Sequence, residues 1–325
     1  MSSLAFVIFR KELSDAFRSR LLVALIIGLG FVILLSLVIA SVDFHAKVID
    51  YQNYLNALKQ AGSGVTAQPP QLFPLQLMRS TIEYLEIIGA VVAIVIGYSL
   101  AAKEKNRGTA RLLFSRPVRD ADVGLGKLMA LAVIWLIVLG ALSLVIAVSL
   151  IAISGSSLAA LDWLKLCLAI CFAWMYLFMW SALALGLAGY TKQLGTALVV
   201  CLILWLCFVL IIPQIGDTMD PDNQVPGGLF KSLQVDKPQE KTVLAHFTGY
   251  EAARNLLEET SISKHFERAG FAVTGVKDTY NQKPLAFIWR DRWSDALWLI
   301  AGVILAAAIA VVNSGKRSLL GKGAL

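Results

Sequence analysis

Residues 128–153 read LMALAVIWLIVLGALSLVIAVSLIAI. None of these 26 residues ionises, and as a helix rising ~1.5 Å per residue the run exceeds the ~30 Å of hydrocarbon in a bilayer. Five further runs, 21–41, 87–102, 166–190, 195–215 and 296–312, share this character, the shortest (87–102) being extended outward by Tyr84 and Leu85. Hydrophobic residues make up 58% of the chain and charged residues 16%, whereas soluble domains sit near ~45–50% and ~25%. The first run is longer than the ~7–15 residues of a signal-peptide core, and no small-x-small site follows it before Asp43, so it reads as an uncleaved anchor. The expected fold is all-α: a polytopic membrane protein with six transmembrane helices.

Basic residues in short flanking loops set orientation. One side collects Arg10, Lys11, Arg18, Arg20, then 103–127 with Lys103, Lys105, Arg107, Arg111, Arg116, Arg119 and Lys127, then Lys192, and last Lys316, Arg317 and Lys322. That is about 15 of the 29 basic residues in roughly 60 loop positions, so both termini are expected in the cytoplasm, in a cytoplasmic (inner) membrane. The same rule accounts for the net charge of +7, which therefore does not point to nucleic acid; the basic helix ends meet lipid headgroups instead. Trp163, Trp289, Trp293 and Trp298 fall at outer span ends, as an interfacial aromatic belt does.

Along the chain, 1–20 is expected as a cytoplasmic interfacial helix with Leu4, Val7, Ile8, Leu13 and Phe17 on one face and Arg10, Lys11, Asp15 and Arg18 largely opposite. Residues 21–212 hold spans one to five, with the loop 103–127 between spans two and three. Residues 213–295 form a small, mainly helical extracytoplasmic region, read as a cap, and 296–325 the sixth span and a tail. Within 103–127 (KEKNRGTARLLFSRPVRDADVGLGK), Ala110 to Phe114 suits a short helix limited by Pro117. Leu112, Leu113 and Phe114, flanked by Arg111 and Arg116, form an apolar tip that a free loop has no reason to hold in water and that fits a groove on another protein.

Fuel-burning chemistry is missing. Gly124-Leu125-Gly126-Lys127 is followed by Leu128 rather than Ser or Thr, so it is no phosphate loop. His45, His246 and His265 lie in outer segments without metal-binding spacing, and read as solvated; Asp220, Asp222, Glu258 and Glu259 likewise read as a wet face, so neither metal site nor catalytic group is expected. Cys167, Cys171, Met175 and Met179 recur at i, i+4 on one helical face, with Cys201 and Cys207 on the next span; packing explains them as well as soft-metal ligation does. Ser181, Ala182, Gly186 and Gly189 favour close helix contact. Span centres lack charge, the nearest candidates Glu83, Glu86, Lys165 and Asp295 sitting at outer ends, which argues against an ion-driven carrier and for energy delivered from outside the membrane.

Glu104, Arg107-Gly108-Thr109, Leu112-Leu113-Phe114-Ser115-Arg116-Pro117-Val118 and the downstream Gly126-Lys127, with the basic N-terminal helix and six spans, resemble the ABC-2 type transporter permeases. Within them the stretch is most similar to the subgroup associated with multi-copper enzyme maturation. The resemblance implies a permease dimer (two copies or a copy and a paralogue) on two cytoplasmic ABC ATPase subunits that bind ATP and Mg. In it the segment from Arg107 to Val118 acts as the coupling helix, and Glu104, Arg107, Gly108, Thr109, Leu112, Leu113, Phe114, Arg116 and Pro117 are the coupling residues, with Arg10, Lys11 and Phe17 marking the interfacial helix. The long outer region departs from simpler members and implies an extracytoplasmic partner or a cap over the exit. The expectation is a non-catalytic permease subunit; the alternative is a complex that transmits force to outer proteins without passing a substrate.

Overall fold

The computed structural model describes residues 3–60, 73–106, 119–155, 157–219, 229–233, 235, 239, 242 and 248–315. Among them every regular element is helical, and six helices are long and apolar enough to cross a membrane: Arg20–Leu58, Pro74–Lys105, Asp120–Ser154, Ala160–Tyr190, Leu194–Met219 and Leu285–Asn313. We number α1 (Ser3–Arg18), α2 (Arg20–Gln60), α3 (Arg79–Tyr84), α4 (Ala90–Asn106), α5 (Asp120–Ser154), α6 (Ala160–Tyr190), α7 (Leu194–Trp205), α8 (Ile212–Met219), α9 (Thr248–Glu259), α10 (Ile262–Thr274) and α11 (Leu285–Asn313). The end of the bundle carrying α1 is called proximal, the opposite end distal.

The second and fourth spans form the centre: 67% and 61% of their most apolar windows are buried, against 17–33% for the other four. Small residues make this possible. A Cβ on Gly97 would lie 2.0 Å from the Ser181 carbonyl oxygen and one on Gly189 2.1 Å from that of Asn313, so α6 touches α4 and α11 backbone to backbone. Trp135 Nε1 donates to Ser181 Oγ (2.7 Å) and Trp174 Nε1 to the Ala132 carbonyl (3.0 Å), which fixes α5 on α6 and satisfies both indole donors.

Two spans contain π-helical turns, Leu85–Gly89 in the second and Leu206–Ile211 in the fifth. Such turns release carbonyls from the helical ladder, and here side chains take them up. Tyr176 Oη donates to the Glu86 carbonyl (2.9 Å), Trp205 Nε1 to that of Ile87 (3.2 Å), and both Ser261 and Ser263 to that of Phe208 (2.5 and 3.0 Å).

The region between spans five and six differs from a cap lying on the surface. α10 is wedged between α6 and α11: Phe266 stacks on Tyr176 with centroids 4.6 Å apart, Ala269 and Ala272 are buried, and Gly275 ends the helix at φ 69°. The wet-face expectation fails for two residues. His265 is only 2% exposed, and Glu258 is buried where Arg254 Nε (3.1 Å) and Arg268 Nη2 (2.5 Å) donate to it. Asp220, Asp222 and His246 lie outside the described residues.

Two predicted faces are also revised. α1 packs on α5 through Ala5, Ile8, Glu12 and Ala16, while Phe6, Val7 and Phe17 are exposed, because the carboxylate of Glu12 finds cations inside and the bulky apolar residues are left to the membrane side. Cys167 and Cys171 are exposed although Met179, two turns on, is buried, so the sulfur residues of α6 share no interior face.

Candidate coupling site at the proximal end

Of the coupling residues, Arg107, Gly108, Thr109, Leu112, Leu113, Phe114, Arg116 and Pro117 lie outside the described residues; Glu104 and the stems on either side are described. The upstream stem is the last turn of α4, with three consecutive charged residues, each reaching a different helix. Lys103 Nζ donates to the Asp15 carbonyl of α1 (3.5 Å). Glu104, 4% exposed, points into the bundle. Lys105 Nζ donates to the carbonyls of Ala188, Gly189 and Thr191 (2.7, 2.9 and 2.8 Å), capping the carboxyl end of α6, where unpaired carbonyls and the helix dipole favour a cation.

The downstream stem enters α5 at Asp120. Lys127, two turns in and fully buried, donates through Nζ to Glu104 Oε2 at 2.5 Å and to the Leu100 carbonyl at 3.3 Å. Lys11 of α1 completes the cluster, 3.6 Å from Glu104 Oε1 and 3.1 Å from Glu12 Oε1. Two carboxylates thus face two ammoniums across α1, α4 and α5. Burial pushes the Glu12 carboxyl above its ordinary range despite Lys127 and Lys11; Lys11, which burial alone would lower, is held above its ordinary value by Glu12 and Glu104. Arg10 and Phe17 are exposed on the outer side of α1 and join neither carboxylate.

Gly126 lets this cluster close. A Cβ there would lie 2.8 Å from the Ala5 carbonyl oxygen and 2.9 Å from Ile8 Cβ, so any larger residue would lift α1 off α5. The site holds α4 and α5, the helices on either side of 107–118, to each other and to two further helices, α1 and α6.

A second polar group occupies the distal end. His265 Nδ1 lies 2.7 Å from Asp295 Oδ1 and Nε2 lies 2.9 Å from the Glu259 carbonyl oxygen. Each ring nitrogen thus has an oxygen within hydrogen-bond distance, one from a carboxylate and one from a backbone carbonyl. The ring stacks on Trp298 (5.5 Å, 14°), and Arg292 Nη1 approaches Asp295 Oδ2 at 3.7 Å. Beside it, an apolar cleft of ≈ 290 Å³ runs between α6, α7 and α11, with Met179, Trp180, Phe208 and Gly302 in its walls. Sequence reasoning missed this pair because its members stand 30 positions apart; a histidine followed by an acid at the edge of the last apolar run was the available signal.

Among known families, the model described as ABC-2 family transporter protein matches residues 6–318. No curated protein matches the chain.

Proposed function

On the premise that this chain belongs to the ABC-2 transporter family, we propose that it is the permease subunit of a transporter moving a substrate with ATP hydrolysed, with Mg, on a separate ABC ATPase. In this reading the proximal end faces the cytoplasm, both termini included. The 107–118 segment docks into a groove of the ATPase through Leu112, Leu113 and Phe114, and two permease copies or paralogues work as a pair in the inner membrane. The likeness of the coupling stretch to the multi-copper enzyme maturation subgroup is kept as the finer family reading.

The observation carrying this proposal is the Glu104–Lys127 pair. It joins the two stems of the docking segment inside the bundle, where force from a motor has to enter. ATP binding that draws two motor subunits together would pull both segments, and the welded stems would convert that into tilting of α4 and α5 against α6. Hydrolysis can drive the cycle only because the two membrane states would differ in their contacts with the motor. The test is co-purification: tagged wild-type chain retains ATP-hydrolysing activity from its native membrane, and the double variant Leu113→Asp/Phe114→Asp loses it. Undiminished activity with that variant would defeat the assignment.

A second reading, force transmission to outer proteins without substrate passage, has one observation in its favour. α10 is wedged against the central α6 and against α11, so spans that tilt would move the 248–274 helices directly. Replacing 220–247 with a short linker separates the two, because force transmission would be lost while ATPase assembly persisted.

A further inference from the structure

Lys165 lies in the second turn of α6 at the distal end and is 5% exposed. Among the described residues its ammonium has neither a hydrogen-bond nor an ion-pair partner, in contrast with Lys105 and Lys127 at the proximal end, which are fully engaged. The stem of the side chain is buried while the ammonium keeps contact with the cavity beside it, a cation open to an anion there. Asp162 also lines this cavity, but it makes no ion pair with Lys165, and its Oδ2 accepts from the Ala159 N–H at 3.2 Å.

The lysine lines a cavity of ≈ 320 Å³, far more than the ~15 Å³ that one water needs. Thr274, Asn281 and Gln282 add polar groups to its wall, and Phe73 and Leu161 an apolar side. Gln282 is held in the left-handed region at φ 54°, the one non-glycine residue so placed among those described, and the turn it forms brings the two amide side chains to the cavity. On the apolar side Leu161 is 45% exposed, and the neighbouring Trp163, 46% exposed, holds the position of an interfacial belt.

From this geometry we infer that the cavity at the distal start of α6 binds an oxyanion of the phosphate type, with Lys165 as its counter-charge and Asn281 as a hydrogen-bond donor. The phosphate is carried on a lipid headgroup or free in solution, and the apolar side of the cavity favours the lipid. The site stands apart from the coupling cluster and does not depend on the permease reading.

The experiment uses the purified full chain in a neutral detergent, titrated separately with phosphatidylglycerol, phosphatidylcholine and inorganic phosphate. Bound ligand is counted by native mass spectrometry and the thermal midpoint followed in parallel, since a ligand specific to the folded state raises it. Wild type binds phosphatidylglycerol saturably and more tightly than phosphatidylcholine; Lys165→Met weakens that binding about tenfold or more, while Lys165→Arg and the surface control Lys47→Met retain it. Saturation by inorganic phosphate as well would assign the site to the free anion; saturation by phosphatidylglycerol alone assigns it to the headgroup. Asn281→Ala, which leaves the lysine in place, weakens binding several-fold and keeps the test open should the methionine variant fail to fold. Absence of saturable binding by wild type, or equal binding by wild type and Lys165→Met, would overturn the inference.

Discussion

The two ends of this bundle bury charge in different ways. At the proximal end Glu12, Glu104, Lys11 and Lys127 match carboxylate to ammonium in the space between three helices, and Lys105 closes a fourth. At the distal end Glu258 is matched in the same manner by Arg254 and Arg268, but the pairing is not uniform. His265 meets Asp295 at one ring nitrogen and a backbone carbonyl at the other, Lys165 has no ion-pair partner among the described residues, and the surrounding spans contain two π-turns and border cavities. On the proposed function, the contrast assigns transmission of displacement to the ion-paired proximal end and change of shape to the cavity-bearing distal end.

The largest effect is expected from cutting the proximal weld. Lys127→Met strands Glu104 in the core and should cost about 3–5 kcal/mol of stability, and Lys127→Met/Glu104→Met should recover most of it, since an apolar pair of similar volume avoids an unmatched charge. Thermal unfolding in detergent reads both; a double variant no better than the single one would mean that the pair is not the unit it forms in the structure. Gly126→Val comes next. Forcing two methyl groups against Ala5 and Ile8 should cost about 1–3 kcal/mol and loosen α1, seen as faster proteolysis ahead of Arg20.

The two ends also differ in the sign of their response to pH. Burial opposes the charge of Glu258, but Arg268 and Arg254 outweigh it and hold this carboxyl below its ordinary value. Its contribution is therefore present above the unfolded-state carboxylate pKa and is lost as pH falls through the lower folded value. Glu258→Gln should lower stability at neutral pH by about 1–3 kcal/mol, with the deficit vanishing in acid. Glu12 is shifted the other way, chiefly by burial, so the folded protein loses stability as pH rises through its elevated pKa. Glu12→Gln should thus gain on wild type as pH rises from the acid range, a smaller effect because Lys11 and Lys127 remain near. Parallel pH titrations of thermal midpoint for the two variants check the opposed slopes.

The six spans were legible in the sequence because hydropathy alone sets them, and Gly189 shows the small residues of span four serving close contact as read, whereas Gly97 of span two, which meets Ser181, was not singled out. Gly126-Lys127 was noticed only as part of a motif; its physical meaning, a glycine admitting α1 and a lysine reaching Glu104, needs both helices in place. The face of α1 differs from the reading because Glu12, which a count of apolar positions passes over, turns inward toward Lys11 and Lys127. His265 and Glu258 were taken for solvated residues: Asp295 stands 30 positions from His265 and Arg268 ten from Glu258, although Arg254, one turn before Glu258, was within reach of a helical reading, and the burial of His265 in α10 follows from the fit of Phe266 on Tyr176, which no local pattern announces.

The central claim is that the segment between α4 and α5 is a handle on the ATP-bearing side. With Cys167, Cys171, Cys201 and Cys207 replaced by serine or alanine, Ser115→Cys should resist a membrane-impermeant maleimide in intact cells and react once the membrane is opened. Full labelling in intact cells would put the handle on the wrong side and contradict the account.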